Sequence, residues 1–170
     1  MSTQFLSTTI KQIVDTAGLQ LNAIGDLTYL EAKSNPQKWS KKEILGHLVD
    51  SAYNNHRRFK VAADQEHLVF DGYDQDREVV QHQYQQRDYH EILSGWKSAN
   101  TQIAYLIASL SDELLNRQTI QHNFDRIAFK QVAKGQSAAL KYLVKDYIIH
   151  LEYHLAQIIG DAYIKVLKHT

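Results

Sequence analysis

The sequence predicts an all-α protein, a four-helix bundle in up-down-down-up order with a long crossover between its second and third helices. Three observations predict it. A single proline in 170 residues leaves long stretches free of helix breakers. Apolar residues recur at three- and four-residue intervals through four of those stretches. The links between them are unequal, one short and two long, which a simple up-and-down bundle does not need.

The first helix is expected from about Gln4 to Tyr29, ending before KSNPQKWS, where Pro36 sits in a turn-rich segment. Ser40-Lys41-Lys42-Glu43 has the spacing of a capping box, in which the serine oxygen accepts from the N–H of Glu43 and the glutamate reaches back. The second helix starts there and runs to about His67. The stretch 67–87, HLVFDGYDQDREVVQHQYQQR, is longer than a link between antiparallel neighbours needs, so the third helix is expected to start at the same end as the second. Asp88 and Glu91 repeat the cap spacing, and Ile92, Leu93, Trp96, Ile103, Leu106, Ile107 and Leu110 follow at helical intervals. A second long connection, 111–136, leads into a fourth helix expected from Ser137 to Lys168. There is no internal repeat, and the length suits one domain spanning 1–170.

Lys plus Arg and Asp plus Glu are equal at 19 each, so no net field draws the protein to nucleic acid or an anionic membrane, and neither partner is expected. Cysteine is absent, which removes disulfides, protein thiolates and Cys-type zinc sites. Any metal must therefore bind through His, carboxylate or water. The N-terminal segment has no basic stretch followed by an apolar run, and no stretch approaches the roughly 20 apolar residues of a membrane span. A soluble, cytoplasmic protein is expected.

The fourth helix carries His150 and His154 inside the apolar stripe formed by Leu140, Leu143, Tyr147, Leu151, Leu155 and Ile158. Two readings compete. The rings are partly buried and satisfied by backbone or tyrosine hydroxyls, or, being one turn apart on one face, they converge on an ion. The zincin pattern His-Glu-x-x-His is not met, because Glu152 lies mid-motif and faces away. A third ligand would come from another helix. His47 shares a polar stripe with Ser51, Asn54 and Arg58, which periodicity assigns to solvent, since Leu45, Leu48, Ala52, Phe59 and Ala63 mark the core side. His56, near the middle of the apolar face, reads as a core histidine hydrogen-bonded to a neighbour. His67, His82, His90, His122 and His169 fall at helix starts, in connections or at the terminus and are expected in solvent.

KWSKKEILGHLVDSAYNNHRRF, followed about a hundred residues later by DYIIHLEYHLAQI, resembles the DinB superfamily of bacterial four-helix metalloproteins. It is most similar to the branch of bacillithiol S-transferase-like and metal-dependent hydrolase-like proteins. The match rests on Trp39, Ser40, Gly46, His47, Leu48, Asp50, Ser51, His150, His154, Gln157 and Ile158. The resemblance implies a divalent site made by His47, His150 and His154, with zinc or nickel as occupant, Gln157 and Tyr147 flanking the helix-four pair, and a homodimer. Relatives carry Tyr-Asp-x-Asp-x-Trp after the second helix. Here Tyr73, Asp74 and Asp76 are kept and the tryptophan is missing, so the resemblance does not fix the substrate.

Three imidazoles on a divalent ion leave one position open for water or a thiol. With no cysteine in the chain the thiol must be a co-substrate, bacillithiol or one like it. The function expected is a metal-dependent thiol S-transferase acting on a small electrophile, with Ser51, Asn54 and Arg58 contacting the thiol and Asp50 and Tyr147 as candidate catalytic groups. A hydrolase using metal-bound hydroxide, with Asp50 the nearest carboxylate, is the rival enzyme. A non-catalytic, dimeric metal-binding protein is the rival from outside enzymes.

Overall fold

The computed structural model describes residues 1–167. In chain order the elements are α1 (Thr3–Asn22), α2 (Leu27–Glu31), α3 (Lys41–Val61), α4 (Gln75–His82), a single 3-10 turn (Tyr84–Gln86), α5 (Tyr89–Ser109), α6 (Asp112–Asn116), β1 (Gln118–Thr119), α7 (Phe124–Ile127), β2 (Ala138–Ala139), α8 (Leu140–Ile159) and a closing 3-10 turn (Gly160–Ala162). The long helices α1, α3, α5 and α8 form the bundle.

Their directions follow from contacts at the ends. The Thr3 N–H donates to Asp112 Oδ1 (2.8 Å) and the Tyr89 hydroxyl to the Leu21 carbonyl (2.9 Å), so α1 and α5 are antiparallel. At the other pair, Ser40 Oγ donates to Gln85 Oε1 (2.6 Å) and Val49 lies against Gly95, so α3 and α5 start at the same end and run parallel. His47 meets His150 while Phe59 packs edge-on against Tyr147 (6.1 Å between centroids), which sets α8 antiparallel to α3. The order is up-down-down-up, as predicted, with α3 and α5 parallel as the length of 67–87 requires.

Local chemistry explains where the elements stop. The helix expected to reach Tyr29 is broken, because the Asp26 carboxylate accepts from the N–H groups of Thr28 (2.9 Å) and Tyr29 (3.2 Å) and starts α2 afresh. Ser40 and Glu43 form the predicted box: Ser40 Oγ accepts from Glu43 N (3.1 Å) and Glu43 Oε2 from Ser40 N (2.8 Å). Asp88 makes only the first half of its box. It accepts from Glu91 N (2.9 Å), while the Glu91 carboxylate turns to Arg87. α3 ends at Val61, short of His67, where its last turn tightens and Asp64 N bonds the Val61 carbonyl (3.0 Å). α8 begins at Leu140, not Ser137, because Ala138 and Ala139 pair with β1. It ends at Ile159 because Gly160, at φ +79°, turns the chain out of the helix. Lys168 and His169 lie outside the described residues.

The core is built from stripes at helical spacing, such as Leu6, Ile10, Ile13 and Leu21 on α1 and Leu143, Leu151, Leu155 and Ile158 on α8, around the fully buried Trp96. Each such side chain contributes about 1.5–3 kcal/mol by leaving water. α3 departs from the single stripe the sequence suggests. Leu45, Leu48, Ala52 and Phe59 are buried, and so are His47, Ser51 and Arg58 of the stripe expected in solvent, together with Asn55, while Asn54 is half-buried. α5 covers one side of α3 and α8 the other. The crossover between α3 and α5 returns along α3, and a Cβ at Gly46 would overlap the Tyr84 ring. Among the described residues no helix is long and apolar enough to cross a membrane.

Candidate metal centre

α3 presents His47 and α8 presents His150 and His154 so that one ring nitrogen of each lies within 4.8 Å of the other two. The Nε2 atoms of His47 and His150 are 3.2 Å apart. His154 points its Nδ1 at Gln157 Oε1 (2.7 Å), where it donates, which leaves its Nε2 as the free lone pair. His47 has no exposed surface, and its Nδ1 is buried without a hydrogen-bond partner among the described residues.

All three rings are held neutral. Burial pushes His47 down to about 3, with the His154 charge adding to the effect. Burial also lowers His150 well below the usual imidazole range, helped by His154 and His47. His154 is lowered by burial and partly restored by its bond to Gln157. Neutral imidazoles whose lone pairs converge repel unless a proton or a cation sits between them. The nitrogens of one tetrahedral ion lie about 3.4 Å apart, close to the separation found for His47 and His150. The donor set, three neutral nitrogens and no sulfur, suits zinc, nickel, copper or iron.

Neighbouring groups shape this centre. The Trp39 ring packs on His47 (4.8 Å between centroids) and Phe129 on His150 (5.2 Å). Phe129 is held there because Asp146 accepts from the N–H groups of Phe129 and Lys130 (both 2.7 Å). Next to His150 opens a cavity of about 230 Å³ that reaches Ser51, Arg58, Tyr73, Arg126, Asp146 and Tyr147. Ser51 and Arg58 thus share a cavity lining with His150.

Other expected site residues are placed differently. Asn54 turns to the far side of α3 and donates to the Asp50 carbonyl (3.0 Å) and Glu78 (3.2 Å). Asp50 faces the crossover: its Oδ1 accepts from the Tyr84 hydroxyl (2.6 Å) and lies 2.8 Å from His82 Nδ1. Burial raises the Asp50 pKa, with Tyr84 and His82 pulling it back. Tyr147 reaches the cavity wall, but its hydroxyl donates to Asn100 Oδ1 and burial drives its pKa up, so it is no proton donor to the histidines. Glu152 does face away, accepting from the backbone of Val166 and Leu167 near the end of the chain.

The remaining histidines divide. His67 and His90 are exposed as expected. His122 is buried instead, its Nε2 bonded to the Gln136 carbonyl (2.7 Å) and its Nδ1 accepting from Phe124 N (3.2 Å). His82 is exposed as expected, with its Nδ1 2.8 Å from Asp50 Oδ1. His56 is half-buried and has no side-chain hydrogen bond among the described residues, so the satisfied core histidine is not found. Asn55, Arg126, Phe129 and Asp146 were not legible as site residues. Asp146 is the exception in principle, because a carboxylate four residues before His150 shares its face.

Residues 20–158 match the model of the DinB superfamily. The structure of YfiT from Bacillus subtilis, described as "a probable metal-dependent hydrolase with an unusual four-helix bundle topology", aligns with TM-score 0.68 at 18% sequence identity, over 89% of this chain and 83% of that one. At 18% identity the likeness is one of fold. No curated protein sequence matches. With the family match running from the last turn of α1 to the last turn of α8, the chain belongs to the DinB superfamily.

Proposed function

We propose that the protein is a divalent-metal-dependent enzyme, a thiol S-transferase that joins a low-molecular-weight thiol of the bacillithiol kind to a small electrophile. A zinc or nickel ion held by His47, His150 and His154 would supply a Lewis acid at which a thiol loses its proton near neutral pH. The chain's own groups do the rest. Gln157 fixes the His154 tautomer. Trp39 and Phe129 keep water from the flanks of the rings. The cavity beside His150 gives the co-substrate room.

One observation favours transfer over hydrolysis. Cleaving an ester or amide needs a carboxylate or other acid to manage the leaving group's proton; Asp146 and Asp50 are committed elsewhere, which leaves a hydrolase the exposed Asp76, lining a pocket with His154 and Gln157. Asp146 spends its two oxygens on backbone N–H groups, and Asp50 is turned to Tyr84. Thiol transfer asks less of the chain: the sulfur proton goes to solvent, the S–C bond forms as a C–X bond of the electrophile breaks, and the electron pair departs on X, a halide or an epoxide oxygen that takes its proton from solvent. The hydrolase reading draws on the description of the Bacillus structure with this fold.

The test is a panel of thiols and electrophiles, run beside simple esters and amides, with protein loaded with zinc or nickel. Conjugation faster than the free thiol reacts, lost in His150→Ala, supports transfer. Ester or amide cleavage without thiol overturns it in favour of hydrolysis. Stoichiometric metal with neither activity leaves a metal-binding protein.

A further inference from the structure

The cavity beside His150 contains a buried positive charge that has no carboxylate in contact with it among the described residues, the exposed Asp71 carboxylate acting on it only from a distance. Arg58 is 5% exposed, yet none of the ion pairs among the described residues includes it. A guanidinium has five N–H donors. Two are used: Nη2 donates to the Asp71 carbonyl (2.9 Å) and Nη1 reaches Asn55 Oδ1 at 3.5 Å. Nε is buried with no partner. Taking a guanidinium out of water and leaving donors unmade is costly unless an acceptor arrives to use them.

The acceptor does not come from the protein. Asp146 shares the cavity but holds two backbone N–H groups, and Asp71 contributes its carbonyl while its side chain is exposed. The Tyr73 ring lies 5.7 Å from the guanidinium carbon, and the exposed Arg126 adds a second positive charge to the lining. Arg58 stands three turns along α3 from His47, about 16 Å by helical rise. The cavity that Arg58 shares with His150 has about the volume of seven or eight water molecules.

We infer that this cavity is a carboxylate subsite, in which Arg58 grips the far end of a small organic acid whose reactive end lies at the three histidines. A planar carboxylate matches the guanidinium fork, which a hydroxyl or a neutral amide does not. The inference rests on the histidines being the reactive centre. Either reactant can bring the carboxylate, the thiol or the electrophile.

Calorimetry of metal-free protein with glutarate examines the subsite without the reaction. Binding is expected in the parent, weakened by about tenfold or more in Arg58→Met, which keeps the apolar stem. Arg57→Met, which removes an exposed positive charge beside Arg58 in the chain but outside the cavity lining, should bind glutarate as the parent does, and Arg58→Lys should recover part of the affinity. Thermal melts show that each variant is folded. No glutarate binding, equal affinity in Arg58→Met and the parent, or a loss caused only by Arg126→Ala overturns the proposal. Cobalt-loaded protein then identifies the source, since its visible spectrum reports a thiolate on the metal. Mercapto acids from 3-mercaptopropionate to 6-mercaptohexanoate, each beside the mercapto alcohol of the same length, cover the span between metal and guanidinium. A preference for the acid at any length that vanishes in Arg58→Met assigns the carboxylate to the thiol. Equal binding of acid and alcohol at every length, with glutarate still dependent on Arg58, assigns it to the electrophile. If no thiol changes the spectrum, the thiol reading falls and the glutarate result stands by itself.

Discussion

His47 shows how a single side chain was both legible and misleading. Its wheel position puts it with Ser51 and Arg58, and that stripe is polar because it lines a cavity between α3 and α8, not because it meets solvent. Hydropathy cannot tell these cases apart. The combined motif could, because it ties His47 to the pair on α8. Replacing His47, His150 or His154 with Ala should weaken zinc binding by about a hundredfold or more, and His56→Ala, nine residues along α3, should leave it near the parent value in a calorimetric titration. Gln157→Leu frees the His154 tautomer and should cost about 10–100-fold. Acid should act on the same rings. Each has a folded pKa below its unfolded value, so the unfolded chain takes up protons that the folded chain refuses as pH falls below about 6.5. Their stabilisation is complete above that pH and is lost on acidification, at up to about 1.4 kcal/mol per pH unit for each ring. Asp50 and Asp146, with raised pKa values, act in the opposite direction. The melting temperature of metal-free protein should therefore fall less between pH 7 and pH 5 in His150→Leu, which has one suppressed ring fewer, than in the parent.

At the scale of elements, the caps were the part of the sequence that could be read most directly. Ser40 and Glu43 close their box as spaced, and Ser40→Ala should lower stability by about 1 kcal/mol in urea unfolding. Breaks and ends were less legible. The N-cap at Asp26 interrupts what periodicity runs together, and the end of α3 lies in a sequence with no Gly or Pro to mark it. The ring of Tyr84 rests where Gly46 has no side chain, in the turn next to His47. Gly46→Ala should push that ring away, break its bond to Asp50 and cost about 1–3 kcal/mol. Zinc affinity measured on the same variant shows how far the disturbance travels: an unchanged value confines it to the crossover side of α3, away from the histidines.

For the whole molecule, connection lengths were enough to set α1, α3 and α5, because 67–87 is long enough to travel back along α3 and KSNPQKWS is only long enough to reverse, but not α8, which runs antiparallel to α5 although 111–136 is as long as the crossover. What length could not show is that the two long connections are stitched together. Leu68 pairs with His122, and Asn123 bonds the backbone of Phe70 in both directions (3.1 and 2.7 Å). Those pairings hold the cavity's outer wall and depend on chain segments far apart. An ion on the three histidines would add a further long-range tie, between positions 103 residues apart. Such contacts form late, so zinc at a hundred times its Kd, worth about 2.7 kcal/mol, should slow unfolding by about a hundredfold with little change in the folding rate. Stopped-flow mixing into and out of urea, with and without chelator, measures both.

The same separation matters while the chain is being made. At about 5–20 residues per second, His47 is synthesised some 5–20 seconds before His150 joins it. During that interval the nascent chain has one of the three ligands, and a single imidazole is a poor competitor for zinc against the cell's other ligands. A ribosome that stalls anywhere in the two long connections therefore yields a product that cannot load. With the proposed ion on these histidines, metal occupancy would become a form of proofreading, granted only to chains that have reached His154 and folded it back against α3.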